Sequence, residues 1–124
     1  MSFTQRVDGN MDQEKKIYLS FLYDFYGSFL TKKQQEIVEL YVNEDLSLAE
    51  ISEQIGISRQ GVFDTLKKAE QVLNMFESRL NLVSKYYKAI NLTDEIVNRL
   101  LNIYNKYHDK EILDIINSIQ EWQK

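Results

Sequence analysis

The stretch from Ser47 to Glu70, SLAEISEQIGISRQGVFDTLKKAE, constrains the fold more tightly than any other part of this chain. Ser47 and Glu50 stand three apart. At that spacing a serine oxygen takes the backbone N–H of the third helical residue, and a glutamate reaches back to the N–H of the cap. A helix therefore opens there. Gly56 follows, where the chain leaves that helix in a left-handed conformation that a Cβ makes costly. Ser58 then holds the place of a further cap. Ile51, Ile55, Ile57, Val62 and Leu66 supply apolar contacts on both sides of the turn, and Ser52 is the small residue that lets the helices approach. Two short-turned helices are predicted, the layout that sets a helix into the major groove of DNA.

The rest of the chain reads as helix too. There is no proline among its 124 residues, so nothing removes a rung from the backbone ladder. No alternating pattern supports a strand. Residues 1–11 read as an N-terminal tail with a turn at Gly9-Asn10. The first helix spans about Asp12 to Ser28, with Ile17, Phe21, Leu22, Phe25, Tyr26 and Phe29 on its apolar side. Thr31 and Gln34 form another capping box and open the second helix, whose Ile37, Val38, Leu40 and Tyr41 face the core. The fold class predicted is all-α, a helix-turn-helix without a wing, with a long fourth helix and a C-terminal helical extension.

That fourth helix is expected to outrun a compact module. Val62, Leu66, Ala69, Leu73, Phe76, Leu80, Val83, Tyr87 and Ile90 alternate spacings of four and three, an unbroken heptad seam. The chain is expected to turn near Asn91, with Thr93 capping a fifth helix and Asp94 and Glu95 in its first turn. Asp109 caps a sixth. Residues 12–70 then form the helix-turn-helix domain, and 71–124 pack as one unit with the long helix. Leu73, Phe76, Leu80, Val83 and Tyr87 are the packing seam, serving an internal core, a homodimer contact, or both.

If nucleic acid is bound, the start of helix 4 reads it. Arg59 suits guanine, Gln60 adenine, and Phe63 a thymine methyl. Thr31, Lys32, Lys33, Ser47, Lys67 and Lys68 suit phosphate contacts. The charge balance opposes this. Lys32 to Glu70 holds five basic and eight acidic residues, net −3, within a chain of formal charge −4. Phosphate neutralisation supplies most non-specific affinity. A role in binding protein or ribonucleoprotein therefore stays open beside DNA.

Leu30 to Leu73 resembles the promoter-reading C-terminal helix-turn-helix of bacterial sigma factors. From about Tyr18 to Leu92 the chain is similar to the small YlxM-like family of Gram-positive bacteria, on LYDFYGSFLT, LYVNEDLSLAEI, GISRQGVFDTLKKAE and the long helix after it. The resemblance implies an all-helical fold and a regulatory, nucleic-acid-binding role. It further implies a link to the signal recognition particle, because family genes lie beside those of that particle. The family's reading residues map onto Ser58, Arg59, Gln60, Phe63 and Lys67. The chain departs from the family at Gly61, where Ala is more usual.

Other chemistry has little to stand on. Zero cysteines exclude disulfides and thiolate ligands, and fit a reducing cytoplasm. His108 is the one histidine, and with Asp109, Glu111 and Asp114 it makes only a loose cluster, so no metal, cofactor or catalytic residue is assigned. The aromatic side of helix 1 (Tyr18, Phe21, Tyr23, Phe25, Tyr26, Phe29) is read as core rather than as a stacking platform for RNA. No run is long and apolar enough for membrane insertion. The reading is a non-enzymatic cytoplasmic regulator that binds DNA, or else an adaptor for protein or RNA of the signal recognition particle, and a homodimer.

Overall fold

The computed structural model describes residues 9–124, with side chains from Gln13 onward. It is built from six helices: α1 (Gly9–Tyr26), α2 (Lys32–Val42), α3 (Leu48–Ile55), α4 (Arg59–Leu80), α5 (Leu82–Tyr107) and α6 (Lys110–Gln123). A short 3₁₀ turn, Gly27–Phe29, follows α1. No strand occurs among the described residues. Residues 1–8 of the expected tail lie outside them, and the turn expected at Gly9-Asn10 is instead the first turn of α1. The chain divides into two compact units, Met1–Val83 and Ser84–Lys124.

In the first unit the caps form as their spacing dictates. Thr31 Oγ1 accepts from Gln34 N, and Gln34 Oε1 accepts from Thr31 N, at 3.1 and 3.0 Å. Ser47 and Glu50 repeat the arrangement at 3.1 and 2.8 Å. Gly56 leaves α3 at φ 85°, where an L side chain is strained. Leu19, Leu22, Tyr26, Ile37, Val38, Ile51, Val62, Leu66, Ala69, Leu73 and Val83 form the buried core. Each fully buried aliphatic side chain contributes about 1.5–3 kcal/mol, so this cluster holds α1 to α4 together.

Two sequence expectations are corrected here. The core face of α1 is Lys15, Leu19, Leu22 and Tyr26, while Ile17, Phe25 and Phe29 are exposed. The reading of the aromatic side as core thus fails for Tyr18, Phe25 and Phe29, which are exposed although Phe29 stacks on Phe76. The reason is geometric: positions 15, 19, 22 and 26 share one stripe facing α4, and the aromatics fall beside it.

The larger correction is the end of helix 4. It stops at Leu80, not near Ile90, because Asn81 adopts the left-handed conformation (φ 57°). The break is stabilised from within. Tyr26 Oη donates to Glu77 Oε1 at 2.5 Å, Val83 N donates to the same carboxylate oxygen at 3.0 Å, and Leu82 N donates to Tyr26 Oη at 3.0 Å. Glu77 and Tyr26 therefore satisfy the first N–H groups of α5, where a negative charge also suits the helix dipole. The heptad seam is not one straight helix. Leu73 and Val83 lie in the core of the first unit, Phe76 is half-buried and stacks on Phe29 at 4.3 Å, and Leu80 is exposed.

The second unit is a hairpin of α5 and α6. Thr93 caps nothing; it sits inside α5 and donates its hydroxyl back to Ala89 O and Ile90 O, the usual bond of a mid-helix threonine. Asn91 is also interior to α5. Asp109 does cap α6, accepting from Glu111 N at 2.9 Å. Gln123 ties the end of α6 to Thr93 and Asp94 at 2.7 and 2.8 Å.

Candidate nucleic-acid interface

The surface at the start of α4 is built by the turn that precedes it. Ser52 Oγ donates to Ile57 O at 2.7 Å, tying α3 to the turn. Ser58 then caps α4, its Oγ accepting from Gly61 N at 2.9 Å. Because Gly61 stands at the third helical position, no side chain returns to the Ser58 N–H, and this cap lacks the second half of the box that the α2 and α3 caps have. Val62 and Leu66 are directed into the core; the helical repeat puts Gln60 on the opposite side and Phe63 beside the buried stripe, while Arg59 shares that stripe at the first position of the helix. Arg59, Gln60 and Phe63 are exposed, as is Ser58, and Lys67 is half-buried one turn on.

The cations are arranged unlike the acids. Lys32 and Lys33 lie exposed in the first turn of α2, and Lys68 is exposed on α4. Among the described residues, none of these three makes an ion pair, and neither does Arg59. Lys67 Nζ lies 5.5 Å from the Phe63 ring centroid, within cation–π reach. By contrast Lys16 is committed to Asp45 at 2.7 Å and to the Tyr41 ring at 4.3 Å. Ser47, exposed at the start of α3, has its hydroxyl engaged as a cap acceptor.

The acidic balance within the motif is softened by burial. Glu70 is buried beside Leu66 and Leu73, about three turns along the same side of α4 from Arg59. Burial pushes its carboxyl up from 4.5 to about 7, against the opposing pull of Lys67 and Lys15. Part of its charge is therefore lost near neutrality. Glu39 accepts from Tyr23 Oη at 2.7 Å, and Glu50 is held below the usual carboxylate range by the Ser47 cap. Asp64 accepts from Gln60 Nε2 at 2.9 Å, so one donor of Gln60 is occupied until that bond is exchanged.

Several features lay outside the sequence reading. Glu70 and Glu77 fall on the same helical stripe as Leu66 and Leu73, so periodicity alone places both on the buried face. The Ser52 bond to the turn carries no sequence signal beyond the small side chain. Tyr87 of the packing seam belongs to α5 in the second unit and is exposed. His108, at φ 53°, packs edge-on to Tyr104 at 5.5 Å. No group of three or more metal-ligating side chains occurs among the described residues. None of their helices is long and apolar enough to cross a membrane.

Two capped helices joined through a left-handed glycine, on an all-helical scaffold, define a helix-turn-helix protein. Residues 13–115 match the family model UPF0122, described as "Putative helix-turn-helix protein, YlxM / p13 like". The chain is 48% identical to a UPF0122 protein of Thermoanaerobacter sp. (strain X514) over 103 residues, 83% of this chain and 88% of that one. It is 40% identical to a UPF0122 protein of Acetivibrio thermocellus over 107 residues, covering 86% and 92%. A UPF0122 protein of Geobacillus sp. (strain WCH70) matches at 37% over 108 residues, covering 87% and 96%. This chain belongs to the UPF0122, YlxM/p13-like family.

Proposed function

We propose that this protein is a cytoplasmic, non-enzymatic regulator that binds duplex DNA through the N-terminal half of α4. Ser58, Arg59, Gln60, Phe63 and Lys67 face the bases and the nearest phosphates. Lys32, Lys33, Ser47 and Lys68 hold the phosphate backbone. One observation carries the reading: Ser58, Arg59 and Gln60 at the start of α4 are exposed, and among the described residues the Arg59 guanidinium makes no ion pair or hydrogen bond. An arginine so placed at the head of a capped helix suits a bidentate guanine contact.

A second reading is favoured by the net −3 of Lys32 to Glu70. In it the same head docks on protein or RNA of the signal recognition particle and has little affinity for DNA. Selection from a random duplex library separates the two. DNA binding predicts a preferred site and an Arg59→Ala variant that loses roughly 5- to 150-fold in discrimination at one base pair. No enrichment by the native protein, together with salt-tolerant binding to the particle's protein or RNA, supports the second reading instead.

A further inference from the structure

The α5–α6 hairpin has too little interior of its own. In about forty residues only Val97 and Ile116 are buried hydrophobics, and units of that size rarely hold together without a further partner or cross-link. Leu92, Ile96, Ile103 and Tyr107 of α5 remain exposed, as do Ile115 and Trp122 of α6. At 100° per residue the four α5 positions fall within about 60° of one another. Ile115 and Trp122 are two turns apart on one stripe of α6. Val97 and Ile116 fix the faces turned inward, and from them the helical repeat puts both exposed strips on the same side of the hairpin.

We propose that this side is a dimerisation surface, which packs against the same hairpin of a second copy to form an intermolecular four-helix bundle. Two observations select a second copy as the occupant. The six side chains expose roughly 700 Å², close to the roughly 800 Å² per partner that a standard stable interface buries. The charges agree. Residues 84–124 carry six basic and six acidic groups, so the whole net −4 resides in residues 1–83. A nucleic acid needs surplus cations and a strongly charged protein needs the opposite sign, whereas a neutral mixed surface meets its own copy without repulsion. Arg99, which lies within the α5 strip, is already paired with Glu95 at 3.1 Å. The inference does not depend on what α4 binds.

Sedimentation velocity on the full chain tests it. The native protein sediments at twice the chain mass at roughly 10 µM. The double variant Ile96→Glu, Ile103→Glu keeps its helical circular dichroism, since both sites are exposed, and its dissociation constant rises at least about 100-fold. A Met75→Ser variant, altering an exposed apolar site of the first unit, stays dimeric. The chain lacks cysteine, so Ile103→Cys carries a single spin label, and dipolar coupling between copies is expected. A native monomer, a double variant that still dimerises, dissociation by Met75→Ser, or absent coupling overturns the proposal.

Discussion

Glu70 shows how one buried residue couples stability to pH. Its folded-state value of about 7 lies above the 4.5 of the exposed group. Below 4.5 both states are protonated and the group costs nothing. As pH rises the unfolded chain releases the proton first, so stability falls until the folded carboxyl has titrated as well. Glu70→Gln is expected to raise stability at pH 8 by about 1–3 kcal/mol and to flatten the decline between pH 5 and 8. Urea midpoints across that range measure it; a variant less stable at pH 8 contradicts the assignment.

Gly61 carries a second residue-scale prediction. A Cβ there meets Ser58 Oγ at 3.2 Å and Ile57 Cδ1 at 3.5 Å. Gln34 and Glu50 hold the equivalent position beneath the other two boxed caps, so the geometry accommodates a side chain. Gly61→Gln completes the box and removes a flexible residue from the first turn. The expected gain is about 1 kcal/mol, visible as a higher thermal midpoint. An unchanged or lower midpoint would mean that Ser58 cannot yield the few tenths of an ångström required.

At the scale of elements, the break after α4 hangs on Asn81 and its polar support. Asn tolerates the left-handed region better than other side chains except glycine. Asn81→Ala should lower stability by about 1 kcal/mol, and Asn81→Gly should leave it within a few tenths. Equal losses in the two variants would show that the side chain, not the backbone conformation, matters there. The break also marks where sequence stops being legible. Caps at Thr31, Ser47, Ser58 and Asp109 and the turn at Gly56 were readable, because each satisfies a local rule of spacing or backbone hand. The break was not. Val83 and Tyr87 continue the heptad whether or not the helix does, and Thr93-Asp94-Glu95 imitates a helix start. The polar support of the break is a hydrogen bond between Tyr26 and Glu77, fifty-one residues apart, and no local window contains it. Exposure at the start of α4 was legible only in part: Gln60 lies opposite the buried Val62 and Leu66, whereas Arg59 shares their stripe and is exposed at the first helical position.

Across the whole molecule, charge and burial divide the labour. The first unit carries the helix-turn-helix, its exposed cations and all of the net charge; the second has no net charge and exposes an apolar strip. The central claim is that Lys32, Lys33, Lys67 and Lys68 bring duplex phosphates to the head of α4. The most direct measurement is the affinity for the selected duplex as a function of salt. The account predicts that log K falls linearly with log salt concentration, at a slope of about −3 to −4 per bound module. It further predicts that the Lys32→Ala, Lys33→Ala double variant shallows this slope by about 2. A slope near zero, or one that the double variant leaves unchanged, would contradict it.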